Sequence, residues 1–237
     1  MNRKNKMLYA IACGSSIAGT IVADAVSNNH LFHLDPIEHI FTRIYQTNSW
    51  GSPESVSGPG SEICVTQRMQ HELSALIRRF KINSIADAPC GDLNWMKHVN
   101  IGDCRYIGFD IVQDLIERNK KIFGDTREFK HANLIENIID QVDLIICRDM
   151  LAHLTDEQIF KVLRNFKKSG SKYILMTTNL LSQENCTIDH AGDWRKLNLE
   201  LPPFNFPRPL ALIEEDVPFN WEQGKHLALW FLDDLDI

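Results

Sequence analysis

Residues 84–92 read Ser84-Ile85-Ala86-Asp87-Ala88-Pro89-Cys90-Gly91-Asp92, a short apolar run that stops on an acid, a proline and a glycine. Residues 84–88 predict a strand. The turn that follows cannot extend it, because proline lacks the N–H that a ladder needs and glycine opens backbone angles that other residues avoid. A helix is expected from about Asn94. Working downstream, the same alternation repeats. Residues 105–110 predict a second strand, followed by a helix over 112–123 with Leu115, Ile116 and Ile122 inward. A weaker third strand is expected near 128–130, and 142–147 forms a fourth, apolar enough to be buried on both faces. Thr155-Asp156-Glu157-Gln158 fits a capping box and starts the next helix, which ends near Ser169-Gly170-Ser171. A fifth strand is expected at 172–178 and a final one at 226–232. Upstream, Val65, Met69, Leu73, Leu76, Ile77 and Phe80 recur at helical spacing over 62–80. Such alternation predicts an α/β fold with a doubly wound, mostly parallel sheet.

Two stretches break the rhythm. Residues 28–61 read as a connecting region ending in a Gly/Pro/Ser-rich loop after Trp50, and a tryptophan beside such a loop argues that it folds onto something. Residues 179–209 hold no periodic run but carry Trp194, Phe204 and Phe206, whose bulk favours order. The 237 residues suit one domain of ordinary size, and 44% hydrophobic against 24% charged residues allow a sizeable core. The net charge of −6, with no basic block, argues against a nucleic-acid partner. The six cysteines form no C-x-x-C pair and no Cys/His cluster with zinc spacing, so they read as free thiols and no metal is expected.

At the N-terminus Arg3, Lys4 and Lys6 precede an uncharged run over 7–23, and Ala23-Asp24-Ala25 offers an A-x-A cleavage site. That order suits a signal or anchor over residues 1–27 and hence membrane association. The glycines and serines within the run equally suit a helix packed on the domain, so a membrane-anchored or secretory location and a cytoplasmic one both stay open. On the secretory reading, Asn185-Cys186-Thr187 would be a glycosylation sequon.

In open α/β sheets, ligands bind beyond the carboxyl ends of the strands. After the first strand stand Asp87, Gly91 and Asp92, an acidic set that suits an amine-bearing ligand. The G-x-G-x-x-G run of a dinucleotide site is absent, which disfavours a nicotinamide-dependent oxidoreductase. Asp110, 19 residues past Gly91, closes the second strand where a carboxylate can accept from both ribose hydroxyls of a nucleoside.

Three segments, DAPCGDLNWM (87–96), YIGFDI (106–111) and DLIICRDMLAHL (143–154), resemble the first, second and fourth motifs of class I S-adenosylmethionine (SAM)-dependent methyltransferases. The likeness extends from about Trp50 to the C-terminus. It is closest to a branch with a D-x-P-C-G-D turn, a W-G…E-S-x-S-G-x-G-S loop and a late G-x-W-R-x-L-N-L segment. It implies a Rossmann-like, seven-stranded methyltransferase domain over 62–237 with SAM as cofactor. Asp87, Ala88, Pro89 and Gly91 would then line the methionine part, Asp110 the ribose, and Ile111 the adenine. Asn133 and Leu134 would meet the adenine edge, with Arg148 and Asp149 beside the methyl. In that branch the acceptors are glycans or small polar metabolites, so O-methylation of a sugar or similar small molecule is expected. Asp149 and His153 are candidate bases, although His153 also suits a purely shaping role; Asp189 and His190 compete. Trp194 and Arg195 suit an acceptor's ring face and acidic group, or equally a core tryptophan with a surface arginine. The runner-up is a catalytically silent SAM-binding or interaction module.

Overall fold

A computed structural model describes residues 37–217 and 223–237. The expected signal or anchor over 1–27 lies outside the described residues, and among those described no helix is long and apolar enough to cross a membrane. Strand β1 is Ser84–Asp87, β2 Arg105–Asp110, β3 Glu128–His131, β4 Leu144–Cys147, β5 Tyr173–Asn179, β6 Ala211–Glu214 and β7 Lys225–Phe231. They form one seven-stranded sheet in the order β3-β2-β1-β4-β5-β7-β6. The first five are parallel, and β7 runs antiparallel between β5 and β6. The order reverses between β1 and β4, which opens a crevice at their carboxyl ends.

Alternate residues of the buried strands feed two apolar layers. On one face, Ile85, Tyr106, Leu144, Ile146 and Leu175 pack with helices α2 (Ile63–Arg79) and α3 (Gln113–Phe123) through Met69, Leu73, Ile77 and Ile116. On the other, Ala86, Ile107, Ile145, Ile174 and Trp230 meet Ile159, Val162, Leu163 and Phe166 of α4 (Asp156–Lys168). Helix α1 (Ile37–Thr47) adds Ile37 and Phe41 to this second layer. The capping box of α4 forms as expected: the Gln158 N–H donates to the Thr155 hydroxyl while the Thr155 N–H donates to the Gln158 side chain.

Several expectations need correction. No α-helix begins at Asn94; the β1–β2 crossover holds only a 3-10 turn at Met96–His98. Gly91 and Leu93, at φ of 54° and 57°, interrupt any helix there. Ile122 faces solvent at 56% exposure, because Ile116, Asn119 and Phe123, spaced by three and four, take the inward face of α3. Helix α1 and edge strand β6 were both unanticipated. β6 buries only Ile213 inside the strand, so it carries no apolar run to betray it. Phe204 and Phe206 order the irregular segment, with Phe206 edge-on to Trp230 at 5.8 Å.

Candidate active site

The crevice encloses about 1080 Å³ of empty space, open solvent at its mouth included, ample for a nucleoside-sized ligand. Asp110 reaches its wall from the end of β2. Its carboxylate accepts from the Gly91 N–H at 3.1 Å and from the Val112 N–H at 3.0 Å. Burial pushes its pKa up against the pull of these bonds. A carboxylate has about four lone-pair sites, so capacity remains for a hydroxyl donor.

The other first-motif residues divide. Pro89 and Gly91 line the crevice; Asp87 and Ala88 lie beneath it, buried and off its wall. The Tyr106 hydroxyl donates to Asp87 at 2.6 Å, and burial lifts the Asp87 pKa to about 7. Gly91 has a reason the sequence did not reveal. A Cβ there would sit 2.3 Å from the Ser57 hydroxyl, so its bareness admits a loop, not only a ligand.

At the ends of β2 and β3, Ile111, Val112, Leu115, Asn133 and Leu134 supply a mostly apolar wall. The Asn133 side-chain oxygen already accepts the Ile135 N–H at 3.0 Å and keeps one lone pair. His131 Nε2 sits 2.8 Å from the Ile111 carbonyl and 3.1 Å from Glu38, tying α1 to this wall.

Beyond β4 stand Arg148, Asp149 and His153, all on the crevice wall. Asp149 adopts φ 58°, unusual for a residue with a side chain. Its N–H donates to Thr177 Oγ1, whose hydroxyl donates back to the carboxylate. Lys225 Nζ lies 2.7 Å and Arg148 3.1 Å from Asp149 Oδ2. Burial alone would raise the Asp149 pKa, but these two cations outweigh it and hold the carboxyl well below the usual range. Asp149 is therefore a poor proton acceptor at neutral pH. Arg148 also pairs with the fully buried Glu215 and donates to the Gly60 carbonyl at 2.8 Å. His153 differs. Its Nδ1 donates to the Asp193 carbonyl at 2.9 Å, which leaves Nε2 as the basic nitrogen. Burial lowers its pKa and keeps the ring neutral at pH 7.

The opposite wall escaped sequence reasoning. It consists of Ile37, Phe41 and Tyr45 on α1, then Trp50, Val56, Ser57 and Ser61. Asp92 organises the loop: it accepts from the Ser55 hydroxyl at 2.9 Å, the Val56 N–H at 3.0 Å and the Ser57 hydroxyl at 3.2 Å. Trp50 lies over His153 with ring centroids 5.2 Å apart. The one available signal was a tryptophan next to a glycine-rich loop. Trp194 and Arg195 do not line this crevice; they line a smaller cleft beside it. Arg195 is spent on the Cys186 and Leu154 carbonyls and on Asp156. Its Nε has no partner among the described residues, and burial of the side chain overturns the surface arginine of the alternative reading. Asp189 and His190 also lie off both walls. Asn185 of the sequon donates to the Asn198 and Pro202 carbonyls, so its amide braces the loop. The five described cysteines are free.

No family model matches the chain, and no curated protein does either. Solved structures match in fold. Human N-acetylserotonin methyltransferase, crystallised with SAM, superposes with a TM-score of 0.54 at 14% identity, over 82% of this chain and 59% of that one. The methyltransferase domain of a bacterial protein, CtHen1-CN, gives 0.51 at 10%, over 70% and 99%. The PH0226 protein of Pyrococcus horikoshii OT3 gives 0.50 at 14%, over 70% and 89%. The fold is therefore the Rossmann-like one of class I SAM-dependent methyltransferases.

Proposed function

We propose that the protein is a SAM-dependent methyltransferase that transfers the methyl group to an oxygen of a sugar or other small polar acceptor. The observation that carries this reading is the crevice at the switch point, with a buried ribose-type carboxylate at one end and a neutral, oriented imidazole at the other. The residues present fit SAM. Asp110 keeps acceptor capacity for a ribose hydroxyl, Ile111 and Leu134 offer an apolar slot for the adenine, and Asn133 can still accept from its amine. Pro89 and Gly91 stand where the methionine part would lie, and the methyltransferase fold supports the same assignment.

SAM would supply an electrophilic methyl on a sulfonium: the C–S bond breaks with its electron pair left on sulfur, and a C–O bond forms. The chain's own part is positioning and proton handling. Held by Asp193 through Nδ1, His153 can take the acceptor's hydroxyl proton on Nε2. Asp149, ionised and held by Arg148 and Lys225, would offer a carboxylate on the crevice wall to a bound SAM or acceptor. The acidic net charge favours a small acceptor over nucleic acid. Calorimetry with SAM and NAD tests the cofactor. Saturable SAM binding and no NAD binding is expected, and the reverse would end this reading. A screen with labelled SAM then separates an enzyme from a silent binder.

A further inference from the structure

Trp50 is placed by the chain on both sides of it. Helix α1 ends just before it: the Ser49 N–H donates to the Ile44 carbonyl at 3.0 Å and the Asn48 N–H to the Tyr45 carbonyl at 3.2 Å, with Asn48 in the left-handed region at φ 46°. The Asn48 amide also donates to the Ser52 carbonyl at 2.9 Å, which closes a turn around Trp50. From the loop, Gly58 comes so near that a Cβ there would stand 3.2 Å from the Trp50 Cβ. The indole then covers the His153 ring, with centroids 5.2 Å apart and planes tilted by 32°. The imidazole is fixed at its edge as well. Its Nδ1 is held by the Asp193 carbonyl, and the Gly192 N–H donates to the His153 carbonyl at 2.9 Å. Among the described residues Nε2 has no partner.

We propose that Trp50 is a positioning residue for His153: its face holds the ring and stabilises the imidazolium that forms when Nε2 takes the acceptor's hydroxyl proton. The inference rests on the reading of His153 as the base and adds what sustains its basicity. A cation within about 6 Å of an indole centroid is attracted by the negative face of the ring, more strongly where water is excluded. A neutral imidazole gains little from that field. The contact therefore favours the state in which the proton has passed, and so the transition state that leads to it. Charged groups reach the ring from other elements. Asp149, after β4, favours the proton and Lys225 of β7 opposes it; the two are 2.7 Å apart, so their effects largely offset each other. Arg148 is paired with Asp149 and Glu215. Asp92 and Asp110 line the same crevice but are engaged by their own backbone donors, and of the titratable residues on α1 only Tyr45 lines it. On the loop side the indole face is thus what meets the charge on His153.

The test uses the full chain and reads the proton on His153 without needing an acceptor. The Cε1–H signal of His153, identified by its loss in His153→Gln, is followed by NMR across pH in Trp50→Phe and Trp50→Leu. Both substitutions remove bulk and admit water, but only phenylalanine keeps a π face. The midpoint in Trp50→Leu should lie about half a pH unit or more below that in Trp50→Phe. If leucine unfolds the chain, Trp50→Met, which also lacks a π face, takes its place. A role as a cover alone predicts equal midpoints or the reverse order, because admitted water raises the midpoint of a buried histidine; either result overturns the proposal. With an acceptor from the labelled-SAM screen, kcat should be about threefold or more lower in Trp50→Leu than in Trp50→Phe, and equal values would overturn it too. Full kcat in His153→Ala is a different failure, since it removes the base reading beneath the proposal whatever the midpoints are.

Discussion

On the sheet side of the crevice, Asp110 stands where ladder hydrogen bonds place it, with Ile111 and Leu134 just past the ends of β2 and β3; on the other side, α1 and the loop before α2 are held by side chains. Asp110 pairs in register with His131, and Asp87 with Gly108, so backbone pairing sets their positions. The loop hangs instead on Asp92, on Glu54, which accepts from the Ile63 N–H and the Asn94 amide, and on the Arg148 bond to Gly60. A wall built on a ladder tolerates the loss of one side chain. A wall gathered by two or three carboxylates does not.

His153 is where the two walls meet, since it follows β4 and lies beneath Trp50. His153→Ala should lower kcat by about 10²–10⁴-fold, the usual cost of a lost general base, with SAM affinity nearly unchanged. In the parent, kcat should fall on acidification through a pKa below the ordinary histidine value, because only the neutral ring can accept a proton. A full kcat in the variant would leave positioning as the whole of catalysis.

Asp87 probes the sheet wall from below. Its carboxyl titrates at about 7 when folded against 3.8 otherwise, so the folded state binds the extra proton between those values. The stability this contributes is present below about pH 4 and lost as pH rises toward 7. Its upper bound is about 4 kcal/mol, at 1.36 kcal/mol per pH interval. Asp87→Asn keeps an acceptor for Tyr106 and should flatten that slope in urea titrations across pH. A slope identical to the parent's would mean Asp87 is ionised when buried.

The sharpest contrast is between Asp92→Ala and Asp110→Ala. The first should cost about 3 kcal/mol of stability, since four donors, the Ser55 and Ser57 hydroxyls and the Val56 and Asn94 N–H groups, lose a charged acceptor, and should take SAM affinity with it. The second should weaken SAM by about 1–3 kcal/mol and cost less stability than the first, since only the Gly91 and Val112 N–H groups lose their acceptor. Similar thermal losses in both would erase the distinction between the walls. The smallest effect concerns residues 1–27. If they anchor the chain, their removal should leave a soluble protein with unchanged SAM affinity; if they pack on the domain, the shortened chain should melt lower or aggregate, and fractionation of both chains between membrane and soluble pools decides between the two.

The parallel strands, the capped helix at Thr155 and the carboxylate at Asp110 were legible because each is written locally. Buried strands are continuous apolar runs, a capping box is four adjacent residues, and a strand-end acid follows its strand directly. Ile122 and the absent helix at Asn94 were misread because solvent exposure and loop docking depend on neighbours distant in the chain. Arg195 and Trp194 show the same limit. Arg195 is buried because the Cys186 and Leu154 carbonyls and Asp156, 9 to 41 positions away, gather its guanidinium.

Periodicity and strand-end chemistry thus settled the sheet and the place of its crevice, since alternation and turn residues act within a few positions. Folding settled which residues close the crevice. Ser57 meets Gly91 and Trp50 meets His153, through contacts spanning 34 and 103 positions that no local pattern encodes. Those contacts exist because buried polar groups must find partners wherever the packed chain brings them. Asp92 found Ser55 and Ser57, and the site's second wall followed.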